Sequence, residues 1–325
     1  MNKRPVTAAL LIAAGFALAV SANGHAGRRA EPGRVADRVS LPARHLALVG
    51  DRRYTMHAGV RPLLVFWIRR DNVGSARVQF REGPNGARGW EMTVGSDPNR
   101  APRRINRWGY LSEEKNAAGI LLLGVMKASD EESLEEAKGS IERERQAGGF
   151  VYKAIRSEVT GDSVLTAISH VSVDQDLSYR ELEQLLPLVS ADDAAQRAFR
   201  LPPGVRGGYL GTIAEIVNAS VAWHRSGRTG PRIEGRGFKY LYNANPYEMT
   251  LTESKHRASA TFKGHDFKEI VEGQFSVTNQ KTGGKTDFRL DFGTAGDLAG
   301  IPVHVVWKPK WWLEVELVLD QAGVY

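Results

Sequence analysis

The chain contains no cysteine among its 325 residues. Disulfide bonds, thiolate nucleophiles and thiolate metal ligands are therefore excluded, and no lipidated cysteine can anchor the protein. Stability has to come from buried apolar area instead, and a hydrophobic content of 42% is sufficient for such a core.

Long apolar runs and a strong charge imbalance are lacking as well. Beyond residue 26 no apolar run approaches the roughly 18 residues of a membrane-spanning helix, so we expect no transmembrane segment once the N-terminal signal is removed. Lys and Arg number 44 against 37 Asp and Glu, a net charge of +7. This mildly basic balance permits attraction to anionic lipid head groups or acidic glycans, but it is too small to indicate a nucleic-acid partner.

The first 26 residues have the pattern of a secretory signal peptide. Lys3 and Arg4 precede an apolar run over residues 6–20. Cleavage after Ala26, with Gly24 at minus three, and cleavage after Ala22, with Val20 at minus three, both fit the pattern. The pattern predicts an exported bacterial protein, periplasmic or secreted. Residues 27–45 carry charge, proline and glycine with little to bury, which is typical of a flexible leader.

The segment over residues 46–200 has signals of both strands and helices. Asn and Gly in residues 71–74 and 83–86 favour hairpin turns between short strands. Ser129 with Glu132 predicts the capped start of an acidic surface helix, and Ser178 with Glu181 predicts a second helix start. Strands are expected over residues 54–57, 62–69, 76–82, 89–94, 120–126, 150–158 and 164–173.

A Pro- and Gly-rich stretch over residues 200–208 predicts a boundary in the chain. The apolar period of Leu210, Ile213, Val217 and Val221 predicts a helix over residues 209–225. The rest of the sequence is almost entirely of β character. Strands are expected over residues 238–243, 247–253, 257–263, 267–277, 286–292, 301–307 and 311–319.

These patterns predict an α+β fold. The N-terminal domain, residues 46–200, is expected to be a mixed antiparallel sheet with surface helices. Residues 201–237 form a linker and a helix, and residues 238–325 are expected to form a mainly antiparallel β sandwich or partly closed barrel.

The densest polar cluster surrounds Arg103, Arg104, Arg107 and Trp108. Guanidinium groups grip carboxylate, sulfate or phosphate oxygens in bidentate fashion, and the indole offers a flat apolar face. The alternative is structural: these arginines pair with the acidic helix that follows Ser129 and hold a long connection against the sheet.

A second cluster contains Trp311 and Trp312, with lysines before them. Side chains alternate between the faces of a strand, so one of the two rings should be on the solvent side. An exposed indole beside lysines suits a sugar ring or a lipid head-group boundary. The alternative, with equal weight, is that an edge strand ends in a large ring covered by a loop, and that Pro309 and the two lysines protect this edge from pairing with another molecule.

No pattern of catalytic or metal-binding residues is specific. The histidines do not occur at metal-ligand spacing, there is no nucleophile elbow, and Gly207-Gly208 lacks the lysine of a phosphate loop. No cofactor and no metal are therefore predicted. The sequence favours a non-catalytic envelope protein that binds an anionic or sugar-containing partner, with a hydrolase of envelope glycan or lipid as the alternative. Its oligomeric state stays open.

Overall fold

The computed structural model describes residues 43–61, 67–101, 104–127, 149–182, 195–227 and 232–320. The predicted signal peptide, nearly all of the predicted leader and the acidic helix expected after Ser129 lie outside these residues.

Strands dominate the described chain. Together they take up 64% of it, against 12% for helix, so the fold is nearly all β. The strands, numbered in chain order, are β1 Ala47–Val60, β2 Ile68–Glu82, β3 Arg88–Ser96, β4 Trp108–Lys115, β5 Ile120–Lys127, β6 Phe150–Thr160, β7 Ser163–Val173, β8 Ala195–Arg200, β9 Val205–Gly208, β10 Gly237–Tyr242, β11 Asn245–Phe262, β12 His265–Asn279, β13 Lys285–Gly293, β14 Pro302–Lys310 and β15 Leu313–Leu319.

All fifteen strands belong to one sheet, in the order β8-β7-β6-β5-β4-β3-β2-β1-β15-β14-β13-β12-β11-β10-β9. Neighbouring strands are antiparallel, except that β9 runs parallel to β10. The first and last described strands, β1 and β15, pair in the middle of the sheet. The pairing of β1 with β15 therefore connects the two halves of the sheet.

The two edges of this sheet are close together in space. The edge strands β8 and β9 are consecutive in the chain, and a connection from residue 200 to residue 205 spans at most roughly 18 Å. Val205 of β9 accordingly packs in one cluster with Val159 and Val164 of β6 and β7. Because fifteen strands laid flat would separate the edges far more widely, the sheet must curl strongly upon itself.

One α-helix is present among the described residues, α1 over Tyr209–Arg225, which are the bounds that its apolar period predicts. It packs against β3, β9, β10 and β11. Its buried side chains, Leu210, Ile216, Val217 and Val221 among them, join the main core cluster of the sheet. The helix thus covers part of the concave face, which leaves space between itself and the strands opposite.

The predicted α+β class is wrong. Strands from residues 46–200 and from residues 238–320 form a single sheet, where a mixed sheet with surface helices and a separate sandwich or barrel were expected. At the capping box of Ser178 and Glu181 the described chain forms a short 3-10 turn, Tyr179–Glu181. Helix-start signals are local, whereas the pairing of β1 with β15 joins residues far apart in sequence. The predicted domain boundaries stay predictions.

The turn predicted over residues 71–74 is also wrong, because these residues lie inside β2. Asn72 adopts a positive φ of 55° there, next to a register shift between β1 and β2. The left-handed conformation serves a β-bulge at this position rather than a hairpin. The second predicted turn is present between β2 and β3, where Asn85 and Gly86 both have positive φ.

Candidate binding cavity

A cavity of about 930 Å³ lies between α1 and the concave face of the sheet. Its walls come from β1 to β4, from β9, from β13 to β15 and from residues 209–218 of α1. Most of the side chains that line it are apolar. They include Tyr54, Ala76, Val78, Phe80, Trp90, Met92, Leu210, Ile213, Val217, Ile301, Val305 and Leu317. The volume and the lining are those of a small-molecule site.

Strand register brings the apolar wall together. Phe80 of β2 is the direct partner of Trp90 of β3, and Val78 is the partner of Met92. Residues two apart on a strand share a face, so all four side chains point into the cavity. The Phe80 and Trp90 rings lie 5.8 Å apart between centroids. Both are only half-buried, because one side of each ring faces the cavity.

The buried carboxylate of Glu113 sits at the start of α1. Its Oε1 accepts a hydrogen bond from the backbone N–H of Gly208 at 2.8 Å, and its Oε2 accepts one from that of Gly211 at 3.0 Å. Burial raises the pKa of Glu113, while these helix N–H groups oppose the shift. The carboxylate occupies the positive end of the helix dipole.

Glycine is required beside that carboxylate because there is no room for a side chain. A Cβ on Gly208 would come within 2.6 Å of a Glu113 oxygen, and one on Gly211 within 2.5 Å of the other. The Gly207-Gly208 pair thus precedes a helix start, as the sequence indicates. The anion at this helix start is the protein's own Glu113.

Cationic side chains gather at the opening of the cavity near the β2–β3 and β4–β5 turns. Arg88, Lys115 and Arg206 line it and are exposed, and Arg52 lines it further along β1. The Nη1 group of Arg52 donates to the backbone oxygen of Asp51 at 3.2 Å. The opening therefore carries positive charge above an apolar interior.

Of the arginine cluster predicted from the sequence, the described residues Arg104, Arg107 and Trp108 are not part of the cavity lining. Arg103 is outside the described residues, Arg104 is exposed with φ of 56°, and Arg107 is half-buried and donates to the backbone oxygen of Asn106 at 3.2 Å. Trp108 is only 3% exposed, and its indole N–H donates to the backbone oxygen of Leu177 at 2.7 Å. Its ring belongs to a core cluster. Ligand binding by these residues stays a prediction.

The two tryptophans lie in the turn between β14 and β15 and differ in exposure. Trp312 is 7% exposed, whereas Trp311 is 56% exposed. Near this end of the sheet lie the exposed Ile68 and the half-buried Trp67, whose ring is 5.5 Å from Nζ of Lys308. Trp311 thus has the exposure that contact with a partner needs, and its binding role stays a prediction.

Histidine and carboxylate groups meet on the other face of the sheet. His304 hydrogen-bonds Asp291 through Nδ1 at 2.7 Å and Glu316 through Nε2 at 3.1 Å. The ring of Phe262 stacks on the imidazole at 4.0 Å between centroids. Burial by itself would lower the pKa of His304, but the two carboxylate hydrogen bonds outweigh it and raise the pKa. The described residues that line the cavity include no histidine.

No family model matches the chain, and no curated protein matches it. Among solved structures, the chain is similar to a β-barrel-like protein of a domain of unknown function from Brucella abortus. The two share 7% sequence identity with a TM-score of 0.40, over 85% of this chain and 97% of the other.

Sequence reasoning missed the cavity residues, although part of their signal is present. Period-two alternation groups Arg88, Trp90 and Met92 on one face of β3, and Leu111, Glu113 and Lys115 on one face of β4. Alternation cannot tell which face is concave, because that depends on the curl of the whole sheet. The packing of α1 over that face is likewise a long-range contact.

Proposed function

We propose that this protein is a non-catalytic binding protein whose cavity holds the apolar part of an amphiphilic ligand. The observation that carries the proposal is the apolar lining of the 930 Å³ space between α1 and the sheet. Apolar side chains such as Phe80 and Trp90 remain half exposed there. Filling the space with an acyl chain or a similar group would remove this apolar surface from water, which favours binding.

Binding is favoured over hydrolysis by the position of the titratable groups. The His304 pair with Asp291 lies under Phe262, on the face of the sheet that points away from Val305 and the cavity. Glu113 does border the cavity, but its two oxygens accept hydrogen bonds from the helix start. A general base needs to reach the substrate, and neither arrangement offers that. The second acid of the lining, the exposed Glu215, has no histidine beside it among the described lining residues.

The proposed setting is the bacterial envelope, periplasmic or secreted, on the basis of the N-terminal pattern of residues 1–26. Anionic glycans or lipid head groups remain proposed partners of the surface. The exposed Trp311 supports such a contact, because an exposed indole suits a head-group boundary. No helix in the described ranges has both the length and the hydropathy to cross a bilayer.

Occlusion of the cavity tests the main proposal. Ala214 of α1 is half-buried and lines the space, whereas Ala222 on the same helix is exposed and does not. We expect the purified protein to bind the neutral apolar dye Nile red, and we expect Ala214→Trp to weaken that binding by about tenfold or more. The matched Ala222→Trp control should bind like the unaltered protein.

Two results would count against a ligand cavity. One is the absence of Nile red binding to the unaltered protein at micromolar concentration. The other is equal loss of binding in Ala214→Trp and Ala222→Trp, which would place the dye elsewhere.

A further inference from the structure

Three cations, Arg88, Lys115 and Arg206, line the cavity opening. Arg88 of β3 and Lys115 of β4 are direct cross-strand partners, and they share a sheet face with the cavity residues Trp90 and Glu113 by two-residue alternation. The Nζ group of Lys115 donates to the backbone oxygen of Arg206 at 3.0 Å. The group therefore joins two strands of the sheet to β9, just before α1.

This arrangement places like charges on neighbouring strands. Like charges directly opposite each other on neighbouring strands are destabilising. In the part of the chain that the structure describes, Arg88, Lys115 and Arg206 form no ion pair with a carboxylate. The lining contains two acids, Glu113 and Glu215. Glu113 is engaged by the helix start, and Glu215 is exposed on α1.

An anion held between these side chains would remove the repulsion. Arginine offers a planar fork of N–H donors that fits two oxygens of one group, and lysine adds a mobile positive charge. The cations stand at the rim while the apolar wall lies below them. A ligand that satisfies both regions has a charged oxygen-bearing head and an apolar tail.

We propose that Arg88, Lys115 and Arg206 bind the oxyanion head group of an amphiphile, a carboxylate or a phosphate monoester, whose tail occupies the cavity. This inference rests on the proposed function and specifies its ligand class. Arg52 provides a further cation along the cavity wall. Its Nε atom is buried without a hydrogen-bond partner among the described residues.

The test compares C12 amphiphiles that differ in their head group alone. Dodecanoate, dodecyl phosphate and neutral dodecanol, each below its aggregation concentration, compete with Nile red for the purified protein. We expect both anionic probes to bind about tenfold or more tightly than dodecanol, because charge-assisted hydrogen bonds form only with them. Raising the salt concentration should narrow the difference. The ratio between the two anionic probes distinguishes carboxylate from phosphate recognition.

Charge reversal locates the site. Arg88→Glu with Lys115→Glu should abolish the preference for anionic probes over dodecanol. The control with the same change in net charge is Lys268→Glu with Lys281→Glu, two exposed cations outside the cavity lining. Arg88→Gln with Lys115→Gln removes the charges without adding new ones, and it serves if the reversed variant is unstable.

The results distinguish failure of the head-group site from failure of the proposed function. The head-group site would be overturned, with the cavity intact, if dodecanol and the anionic probes bound with equal affinity. It would also be overturned if the Lys268 and Lys281 control lost the preference for anionic probes to the same extent. Failure of Nile red and dodecanol to bind at all would overturn the proposed function itself.

Discussion

The contact between Glu113 and the start of α1 can be tested by adding one methyl group. Gly211 lies in the first turn of the helix, and its N–H donates to Oε2 of Glu113 at 3.0 Å. A Cβ at this position would stand 2.5 Å from Oε1 of the same carboxylate. Gly211→Ala therefore forces the buried carboxylate to move away from the helix N–H groups.

Two opposing effects determine the change in the free energy of unfolding. Replacing glycine by alanine within a helix normally stabilises the helix by about 1 kcal/mol. Overpacking of a well-packed site costs about 1–3 kcal/mol. We expect the clash to prevail and Gly211→Ala to destabilise the protein by about 1 kcal/mol, against the helix propensity.

Removing the carboxylate should reverse the sign. In a Glu113→Ala background the oxygen that clashes is gone, so Gly211→Ala should stabilise that variant by up to about 1 kcal/mol. The coupling between the two substitutions would then be about 2 kcal/mol, within the range for residues in direct contact. Urea unfolding of the four proteins, followed by tryptophan fluorescence, measures it.

A control on the same helix measures the effect of helix propensity alone on the free energy of unfolding. Ala222 is exposed, and Ala222→Gly should destabilise the protein by about 1 kcal/mol whether or not Glu113 is present. If Gly211→Ala stabilises the unaltered protein, or if its effect is the same in both backgrounds, then Glu113 does not occupy the start of α1 and the reasoning fails.

Three further predictions concern the surface and the outer face of the sheet. The pKa of His304 is raised in the folded protein. Its contribution to stability is therefore full below the ordinary histidine pKa of about 6.5 and is lost as pH rises through the folded value. Between pH 5.5 and pH 8.5 the free energy of urea unfolding should change less for His304→Gln than for the unaltered protein, and an equal change would contradict this. Trp312→Ala should cost about 3–5 kcal/mol of unfolding free energy and Trp311→Ala less than about 0.5 kcal/mol, because Trp312 alone is buried; similar losses in the two unfolding curves would refute the assignment. Arg103→Ala with Arg107→Ala should lower affinity for acidic glycans or anionic liposomes, as the sequence prediction requires, and unchanged retention in a liposome sedimentation assay would end that prediction.

Local sequence patterns predicted correctly the features that depend on a single secondary-structure element. The apolar period over residues 209–225 predicts the bounds of α1, and the Ser178–Glu181 capping box forms the hydrogen bonds expected of it. The C-terminal strands fall near their predicted places. The expected break between residues 253 and 257 is absent, since β11 continues to Phe262 past a register shift. A bulge and a turn use similar residues, so pattern alone cannot separate them.

In the candidate site, too, local pattern predicts which residues share a strand face but not which strands come together. Alternation along β3 and β4 already groups Arg88, Trp90, Glu113 and Lys115 into same-face sets, and this follows from the pleat of any strand. Their convergence on one cavity depends on the curl of the sheet and on the packing of α1. The local pattern of Arg103, Arg104 and Arg107 attracts attention because its charges are adjacent in sequence, whereas the cations at the opening come from three separate strands.

By itself the sequence determined the absence of thiol chemistry, the predominance of β structure after residue 237, and the position and buried face of α1. Each of these depends on composition or on the period of a single element. Only the tertiary structure decided that β1 pairs with β15, that fifteen strands form one curled sheet, and that Glu113 reaches the start of the helix. These are contacts between residues far apart in the chain, where many pairings satisfy the local pattern and burial of the whole core selects among them.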